Sequence, residues 1–259
     1  MECTNPVNIL SESIGKVLKV PCGKCTRCRI ARTREWTVRI MHEANYHPKK
    51  IFTTLTFNNE NLPLDQSIRR NELQKFIKRL RKRVDRKIKY YACGEYGENG
   101  DRPHYHAILF SMSLKAEDQQ AILDCWPYGF VKNGTVTYDS ARYVAQYINK
   151  KLSGKQAKEQ YGDREPPFCL MSKGLGKQYA LDNRDQLIKN KGCTIRGKQA
   201  GLPRYYMKVL DIDKDFFVED AIKREKELED YHAKREGPTK AINGDPRILE
   251  NLADDAKRA

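Results

Sequence analysis

The sequence lacks three features that would each assign it to a different class of protein. No apolar run approaches the roughly 20 residues of a transmembrane helix, so we expect no membrane span. The first residues show no basic stretch followed by an apolar one, so we expect no secretion signal. The segment 171–178 lacks the Gly-x-x-x-x-Gly-Lys-Ser/Thr spacing of a phosphate-binding loop, which argues against an ATPase of that class.

Acidic residues are also in short supply. The 259 residues include 49 Lys and Arg against 34 Asp and Glu, for a formal net charge of +15. This surplus indicates a polyanionic partner, and nucleic acid fits better than a membrane surface. The predicted helix over 69–87 is the most one-sided stretch. We expect its basic side chains to contact a DNA backbone: Arg69, Arg70, Lys75, Lys78, Arg79, Arg81, Lys82, Arg83, Arg86 and Lys87.

The eight cysteines, without a secretion signal, favour free thiols or metal ligands over disulfides. Three of them follow the spacing Cys-x-x-Cys-x-x-Cys: Cys22, Cys25 and Cys28. Tetrahedral zinc takes four ligands, and the nearest candidate for the fourth is Cys3, with Cys93 and His42 as alternatives. An iron–sulfur cluster and unligated thiols both stay open beside zinc.

Two histidines stand in a predicted β-hairpin over 88–110, in which apolar strands flank a turn-rich polar loop. His104 and His106 are two residues apart, so a strand directs both side chains to one face, where two imidazoles can share a metal ion. Glu95 ends the opposing strand and can add an oxygen ligand. Such a set leaves coordination positions open for water or phosphate. The alternative is a strand with two exposed histidines.

A helix predicted over 140–152, with Ser140 as its N-cap, carries two tyrosines four residues apart. Tyr143 and Tyr147 therefore lie on one helix face, and Lys150 follows on the same side. A nearby cation favours the phenolate, which is the nucleophilic form of tyrosine. Core packing is the alternative role for both rings.

The other elements complete the predicted topology. Periodicity and turn signals predict helices over 26–46 and 113–126, strands over 16–20 and 50–57, and a second hairpin over 130–137 that turns at Asn133-Gly134. Beyond 152 we predict a loop over 154–167, a short helix over 181–190, strands or extended arms over 194–198 and 202–208, and a charged helix over 213–235.

Hairpins dominate this order, so we expect an α+β fold with a central, mainly antiparallel β-sheet flanked by helices. An N-terminal Cys-rich knuckle and a C-terminal helical extension complete it. The predicted segments are a Cys-rich and basic part, a core, a loop and strand extension, and a charged helix with a tail: 1–48, 49–152, 153–210 and 211–259.

Three stretches together resemble the motifs of the HUH endonucleases. They are the strand Phe52-Thr-Thr-Leu-Thr-Phe57, Glu95 with His104-Tyr-His106, and Tyr143-x-x-x-Tyr147-x-x-Lys150. Their order is similar to that of rolling-circle replication initiators. The segments 21–28, Pro-Cys-Gly-Lys-Cys-Thr-Arg-Cys, and 203–206, Pro-Arg-Tyr-Tyr, resemble the initiators of gokushoviruses, within the microviruses. The resemblance covers about residues 1–210.

The resemblance implies an HUH-like fold and a metal-dependent tyrosine endonuclease that nicks and joins single-stranded DNA at a specific site. Mg²⁺ or Mn²⁺ on Glu95, His104 and His106 would bind the scissile phosphate. Tyr147, with Lys150 nearby, would form a 5′-phosphotyrosine and leave a 3′ hydroxyl that primes rolling-circle synthesis. Tyr143 would make the second transfer, or the two tyrosines would alternate.

The implied partners are origin DNA, a host helicase and the host replication machinery, in the cytoplasm of a bacterial host. A plasmid relaxase or a single-strand transposase would use the same chemistry. A nucleic-acid-binding protein with a structural metal and no cleavage is the alternative from another class, and a zinc-knuckle RNA binder is a third.

Overall fold

A computed structural model of the chain describes residues 3–11, 15–97, 101–148 and 155–213, together with 216, 222–223, 226–227 and 230. The chain divides into two compact units, Met1–Ile212 and Asp213–Ala259. The charged helix predicted over 213–235 falls mostly outside the described residues. Among the residues that are described, no helix combines the length and the apolar character needed to cross a membrane.

The first unit is built around a five-stranded antiparallel sheet with the strand order β6-β3-β5-β4-β7. Two separate hairpins, β1-β2 and β8-β9, stand before and after it in the chain. The elements in chain order are β1 (Val7–Ser11), β2 (Lys16–Val20), α1 (Thr26–Asn45), β3 (Lys50–Phe57), α2 (Arg70–Val84), β4 (Tyr90–Tyr96), β5 (Pro103–Phe110), α3 (Ala116–Cys125), β6 (Gly129–Gly134), α4 (Tyr138–Gln146), α5 (Lys155–Tyr161), β7 (Phe168–Met171), α6 (Lys177–Asp182), α7 (Arg184–Lys189), β8 (Gly192–Ile195), β9 (Lys198–Gly201) and α8 (Arg204–Val209). The predicted α+β class, its antiparallel sheet and an N-terminal cysteine cluster are confirmed.

Helices cover both faces of the sheet because both faces are apolar along the central strands. On one face, α2 and α3 pack against odd-numbered residues of β3 and β5, among them Leu55 and Leu109. On the other face, α1 and α4 pack against even-numbered residues of β5, including Ile108 and Phe110. Successive residues of a strand point to opposite faces, so the alternation along β3 and β5 determines which helices each residue meets.

The predicted second hairpin over 130–137 is wrong. β6 runs as one strand and pairs with β3 through Asn133 and Gly134, which lie opposite Thr53 and Phe52. An Asn-Gly pair favours a two-residue turn locally, but here the ladder to β3 satisfies the backbone of the pair instead. Gly129 begins the strand, and a side chain there would bring a Cβ within 2.3 Å of the Asn58 backbone nitrogen.

The start of α4 differs from the prediction as well. Thr137, not Ser140, is the N-cap. The Ser140 backbone N–H donates to Thr137 Oγ1 at 3.1 Å, and the Thr137 backbone N–H donates to Ser140 Oγ at 2.8 Å. Ser140 therefore takes the third position of a capping box, where it still satisfies an otherwise unpaired backbone group. The helix ends at Gln146, before the predicted 152.

Beyond 152, the structure overrules two further predictions. The segment 154–167 contains the helix α5 rather than a continuous loop, and 204–209 is the helix α8 rather than a strand or arm. Tyr206 of α8 is fully buried, and its hydroxyl contacts His42 Nδ1 at 3.0 Å. This long-range anchor explains why a stretch rich in tyrosine forms a helix here. The structure also adds β1, which pairs with the predicted strand over 16–20.

Two titratable residues of α1 connect this helix to the later part of the chain. Glu43 accepts hydrogen bonds from Lys89 Nζ at 2.6 Å, from His47 Nε2 at 2.9 Å and from the Gly176 backbone N–H at 2.8 Å. Burial acts to raise the pKa of Glu43, but these bonds outweigh it and lower the pKa. His42 stacks on Tyr179 with the ring centroids 3.6 Å apart, and burial lowers its pKa to about 4.

The buried neutral His42 predicts an acid-sensitive fold. Because its pKa is lower in the folded protein than in the unfolded chain, its contribution is complete above pH ~6.5 and is lost as the pH falls towards 4. We expect urea unfolding at pH 7.5 and 4.5 to show a loss on the order of 2 kcal/mol from this residue. His42→Gln should show a smaller loss between the two pH values. Equal losses in the two proteins would contradict this assignment.

Candidate metal and tyrosine site

The register of the central strands brings the predicted ligands together. Glu95 lies directly opposite His104 in the β4–β5 pair, and His106 lies two residues further on the same face. Glu95 Oε1 is 3.1 Å from His104 Nε2 and 2.9 Å from His106 Nε2. One ligand atom from each residue lies within 4.8 Å of the others, so the three side chains can hold one metal ion.

Second contacts orient both imidazoles. His104 Nδ1 lies 3.0 Å from the Arg102 carbonyl, which can only accept, so Nδ1 carries the proton. His106 Nδ1 lies 2.9 Å from the hydroxyl of Thr54, its cross-strand neighbour. With each Nδ1 engaged, each Nε2 faces Glu95. Thr54 did not emerge as a site residue from the sequence, although its position in the Thr-Thr-Leu-Thr strand signalled a same-face neighbour of β5.

The electrostatics of the cluster suit a divalent cation. Glu95 and His106 are buried, and burial lowers the pKa of His106. Burial acts to raise the pKa of Glu95, yet hydrogen bonds from His104, His106 and Tyr147 lower it to about 2. The carboxylate is therefore ionised at neutral pH and faces two imidazole nitrogens. Two nitrogens and one oxygen fit Mn²⁺, and Mg²⁺ is accepted where water and phosphate complete the shell.

The tyrosine helix α4 places both predicted tyrosines at this cluster. The Tyr143 hydroxyl donates to Glu95 Oε1 at 3.1 Å and lies 3.4 Å from His106 Nε2. The ring of Tyr147 stacks near His106, with centroids 6.2 Å apart. Tyr143 is 38% exposed, whereas Tyr147 is 2% exposed. Burial raises the pKa of Tyr143 to about 12 and also raises that of Tyr147, so both phenols are protonated.

Lys150, the third predicted residue of this helix, lies outside the described residues. α4 ends at Gln146, and Tyr147 is its C-cap, with φ −65° and ψ −16°. The proximity of the lysine to the tyrosines therefore stays a prediction.

The basic helix α2 lies on the opposite face of the sheet from this site. Its apolar stripe packs in the core that contains Leu55 and Tyr105, whereas α4 packs in the other core. Several of its predicted DNA contacts also have protein partners: Arg69 with Asp65, Arg70 with Glu165, Lys75 with Glu72, Arg83 with Asp124, Arg86 with Asp118, Arg79 with the Cys125 carbonyl and Arg81 with the Ile88 carbonyl. Lys78, Lys82 and Lys87 are exposed and pair with no carboxylate of the described residues. A role for α2 in DNA binding stays a prediction.

A second candidate metal site lies where the N-terminal strands meet α1. The four sulfur atoms of Cys3, Cys22, Cys25 and Cys28 all lie within 4.8 Å of one another. Cys3 Sγ is 3.7 Å from Cys25 Sγ, and Cys22 Sγ is 4.0 Å from Cys28 Sγ. The structure thus places Cys3 as the fourth member. The two alternatives lie elsewhere, Cys93 buried in β4 and His42 stacked on Tyr179.

Comparisons with known proteins agree with this architecture. A family model of replication-associated proteins of the ORF2 type matches residues 50–152. The chain is 36% identical over 235 residues to Replication-associated protein ORF2 of Spiroplasma virus 4, covering 80% of this chain and 73% of that protein. It is 31% identical over 230 residues to Replication-associated protein VP4 of Bdellovibrio phage phiMH2K, covering 78% and 72%. Replication-associated protein ORF4 of Chlamydia phage 1 is 29% identical over 213 residues, covering 74% and 53%. No solved structure matches the chain significantly.

A β-sheet that carries a Glu–His–His cluster beside a tyrosine pair defines a class of metal-binding α+β proteins. Within that class, the chain belongs to the family of microvirus-type replication-associated proteins. Its role therefore lies in the initiation of phage DNA replication.

The Thr54 contact predicts an effect on metal affinity without any loss of a ligand. Thr54→Val removes the partner of His106 Nδ1, so the imidazole loses its orientation. We expect Mn²⁺ affinity, measured by calorimetric titration, to fall about 10- to 100-fold. Thr56→Val is the matched control, because the Thr56 hydroxyl bonds to the Phe130 carbonyl instead. Equal affinities for the two variants would contradict an orienting role for Thr54.

Proposed function

We propose that the chain is a metal-dependent tyrosine endonuclease that nicks and joins single-stranded DNA at a specific site and so starts rolling-circle replication. The observation that carries the proposal is the contact of the Tyr143 hydroxyl with Glu95, inside the cluster completed by His104 and His106. A nucleophile and a cation-binding set within hydrogen-bond distance are what phosphoryl transfer to a tyrosine needs.

Glu95, His104 and His106 would hold Mg²⁺ or Mn²⁺. When bound, the cation supplies positive charge for the scissile phosphate and for the charge that develops during displacement. Thr54 and the Arg102 carbonyl keep the imidazoles directed at the site. Core packing of α4 through Ala141 and Val144 fixes the position of the tyrosines. The chain thereby supplies preorganised geometry, which lowers the barrier without rearrangement.

In the reaction, the phenolic oxygen of one tyrosine attacks phosphorus and the bond to the 3′ oxygen breaks. The phenol loses its proton, the departing oxygen gains one, and the products are a 5′-phosphotyrosine and a free 3′ hydroxyl. Attack of a new 3′ hydroxyl on the phosphotyrosine reverses these steps and joins the strand. Two tyrosines at one site allow a second transfer while the first product is still attached.

The exposure of the tyrosines favours an order of use. Tyr143 presents its hydroxyl beside Glu95 with part of its ring open to solvent, whereas Tyr147 is buried. We therefore assign the first attack to Tyr143 and the second transfer to Tyr147, with Lys150 as a candidate partner of Tyr147. The alternation of the two residues, as the sequence predicts, then needs a movement that exposes Tyr147.

The proposal also defines the partners. Origin DNA is the substrate. The absence of a phosphate-loop motif from the sequence means that a host helicase separates the strands. Since the relatives come from viruses named after the bacteria Spiroplasma, Bdellovibrio and Chlamydia, we place the activity in the cytoplasm of a bacterial host.

Tyrosine variants test the chemistry directly. With a labelled single-stranded origin fragment and Mn²⁺, the parent protein should give a protein–DNA adduct on a denaturing gel, and a chelator should abolish it. Tyr143→Phe should lower the rate of the first nick at least ~100-fold, on the order of the loss of a nucleophile. Tyr147→Phe should nick but join poorly. Tyr138→Phe, on the same helix, is the control.

Two outcomes would change the proposal. A normal first nick by Tyr143→Phe together with loss of the nick by Tyr147→Phe would reverse the order of the tyrosines. An adduct formed by the Tyr143→Phe, Tyr147→Phe double variant would overturn tyrosine catalysis. Tight DNA retention by the parent protein without any adduct would favour the binding protein without cleavage.

We also propose that the four-cysteine cluster holds a structural Zn²⁺. Four cysteine sulfurs close a tetrahedral shell and leave no position for a substrate, which is the pattern of structural zinc. Cys3 precedes the β1–β2 hairpin, and Cys25 is the N-cap of α1. A bound ion would therefore fasten the N-terminal hairpin to the helix that packs against α4.

The zinc proposal predicts a defined metal content. Protein purified without added metal should contain about one zinc per chain by elemental analysis, and Cys25→Ser should lose it. Cys193→Ser, a buried cysteine of β8, should retain it. Iron together with absorbance near ~400 nm would instead indicate an iron–sulfur cluster, and a metal-free chain would leave the thiols unligated.

A further inference from the structure

An exposed aromatic side chain lies on the sheet face that carries the metal and tyrosine site. Phe130 of β6 is 68% exposed, although it lies in a strand. Its neighbour Val131 points to the opposite face and packs against the α2–α3 core. The alternation of β6 therefore directs Phe130 away from that core, towards the face of His104.

The register places Phe130 in the same cross-strand row as the metal ligands. Phe130 pairs with Thr56, Thr56 with His104, and His104 with Glu95. Paired residues of an antiparallel sheet share a face, and neighbouring strands are about 4.8 Å apart. Phe130 is thus two strands, or roughly 10 Å, from His104. α4 packs over β4 and β5, and the β6 end of the row is open at Phe130.

Positive charge accompanies the aromatic ring. Lys132 is exposed in the next row, opposite Thr54, and Arg142 is exposed on α4 next to Tyr143. Neither side chain pairs with a carboxylate of the described residues. An aromatic plane with flanking cations matches single-stranded nucleic acid, in which the backbone follows positive charge and unpaired bases stack on rings. A duplex keeps its bases stacked within itself and offers no free face to Phe130.

We propose that Phe130 is a stacking platform for an unpaired base next to the scissile phosphate, with Lys132 and Arg142 on the flanking phosphates. The location of that phosphate rests on the function proposed above. The single strand then crosses the sheet from β6 to β5 along one row. Stacking of this kind tolerates any base, so the platform aligns the strand at the site and does not select its sequence.

This path differs from the basic-helix path that the charge of the sequence predicts. Lys78, Lys82 and Lys87 belong to the α2 side of the sheet, whose core is separate from that of α4. A strand bound along α2 would not contact Phe130. The two surfaces can therefore be distinguished by substitutions on one face only.

Binding measurements test the platform apart from catalysis. The assay uses the full chain with Tyr143→Phe and Tyr147→Phe, without added Mg²⁺ or Mn²⁺, and the anisotropy of a labelled single-stranded oligonucleotide. Adding Phe130→Ala should weaken binding about 5- to 150-fold, the range for loss of one stacked base. Phe130→Trp should bind like the parent, and Phe130→Leu, which is apolar but has no ring, should resemble Phe130→Ala. Leu123→Ala, an exposed residue of α3, is the control.

Photocrosslinking with 5-iodouracil beside the scissile position locates the contact. A crosslink to Phe130 supports the platform. Unchanged affinity of Phe130→Ala, or crosslinks confined to α2, would overturn it. Because the assay needs neither metal nor tyrosine, a protein that fails to nick can still pass it. Conversely, a nicking protein whose Phe130→Ala variant binds normally would lose the platform and keep the proposed function.

Discussion

The antiparallel register of β3, β4 and β5 is the constraint on which the rest of the site depends. It sets Glu95 opposite His104 and Thr54 opposite His106. A slip of one residue would send the histidines to the α2 side and destroy the cluster, because side chains alternate between faces. Burying the Glu95 carboxylate costs solvation. Its lowered pKa shows that the contacts with the two histidines and Tyr147 more than offset that cost.

The helices on the site face depend on a second buried charge. Glu43 of α1 holds Lys89, which leads into β4, and the backbone of Gly176, which precedes α6. Removal of one partner from a buried ion pair typically costs about 3–5 kcal/mol, because the other charge is left unpaired. Since α1 packs against α4 and the tyrosines belong to α4, the Glu43 contacts hold the surroundings of the nucleophiles far along the chain from them.

Local patterns predicted what local physics decides. The strand Lys50–Phe57, the His104 and His106 pair with Glu95 across the turn, and the tyrosine spacing follow from alternation and helical period. Long-range contacts decided the rest. The ladder to β3 overrode the Asn133-Gly134 turn, and burial of Tyr206 made 204–209 helical. Charge alone favoured α2 as the DNA surface, because sequence does not show which face of a sheet a helix covers.

The failed hairpin prediction and the exposed Phe130 have one cause. If the chain turned at Asn133, Phe130 and Lys132 would lie in a two-stranded ribbon and not alongside β3. Because β6 instead extends the sheet, the same alternation that buries Val131 against the α2–α3 core holds Phe130 in the row of His104. One register thus fixes the distance between a base-stacking surface and the proposed reacting centre. An edge strand is well suited to this position, since it has a neighbour on one side only and leaves its outward face open to an extended strand of DNA.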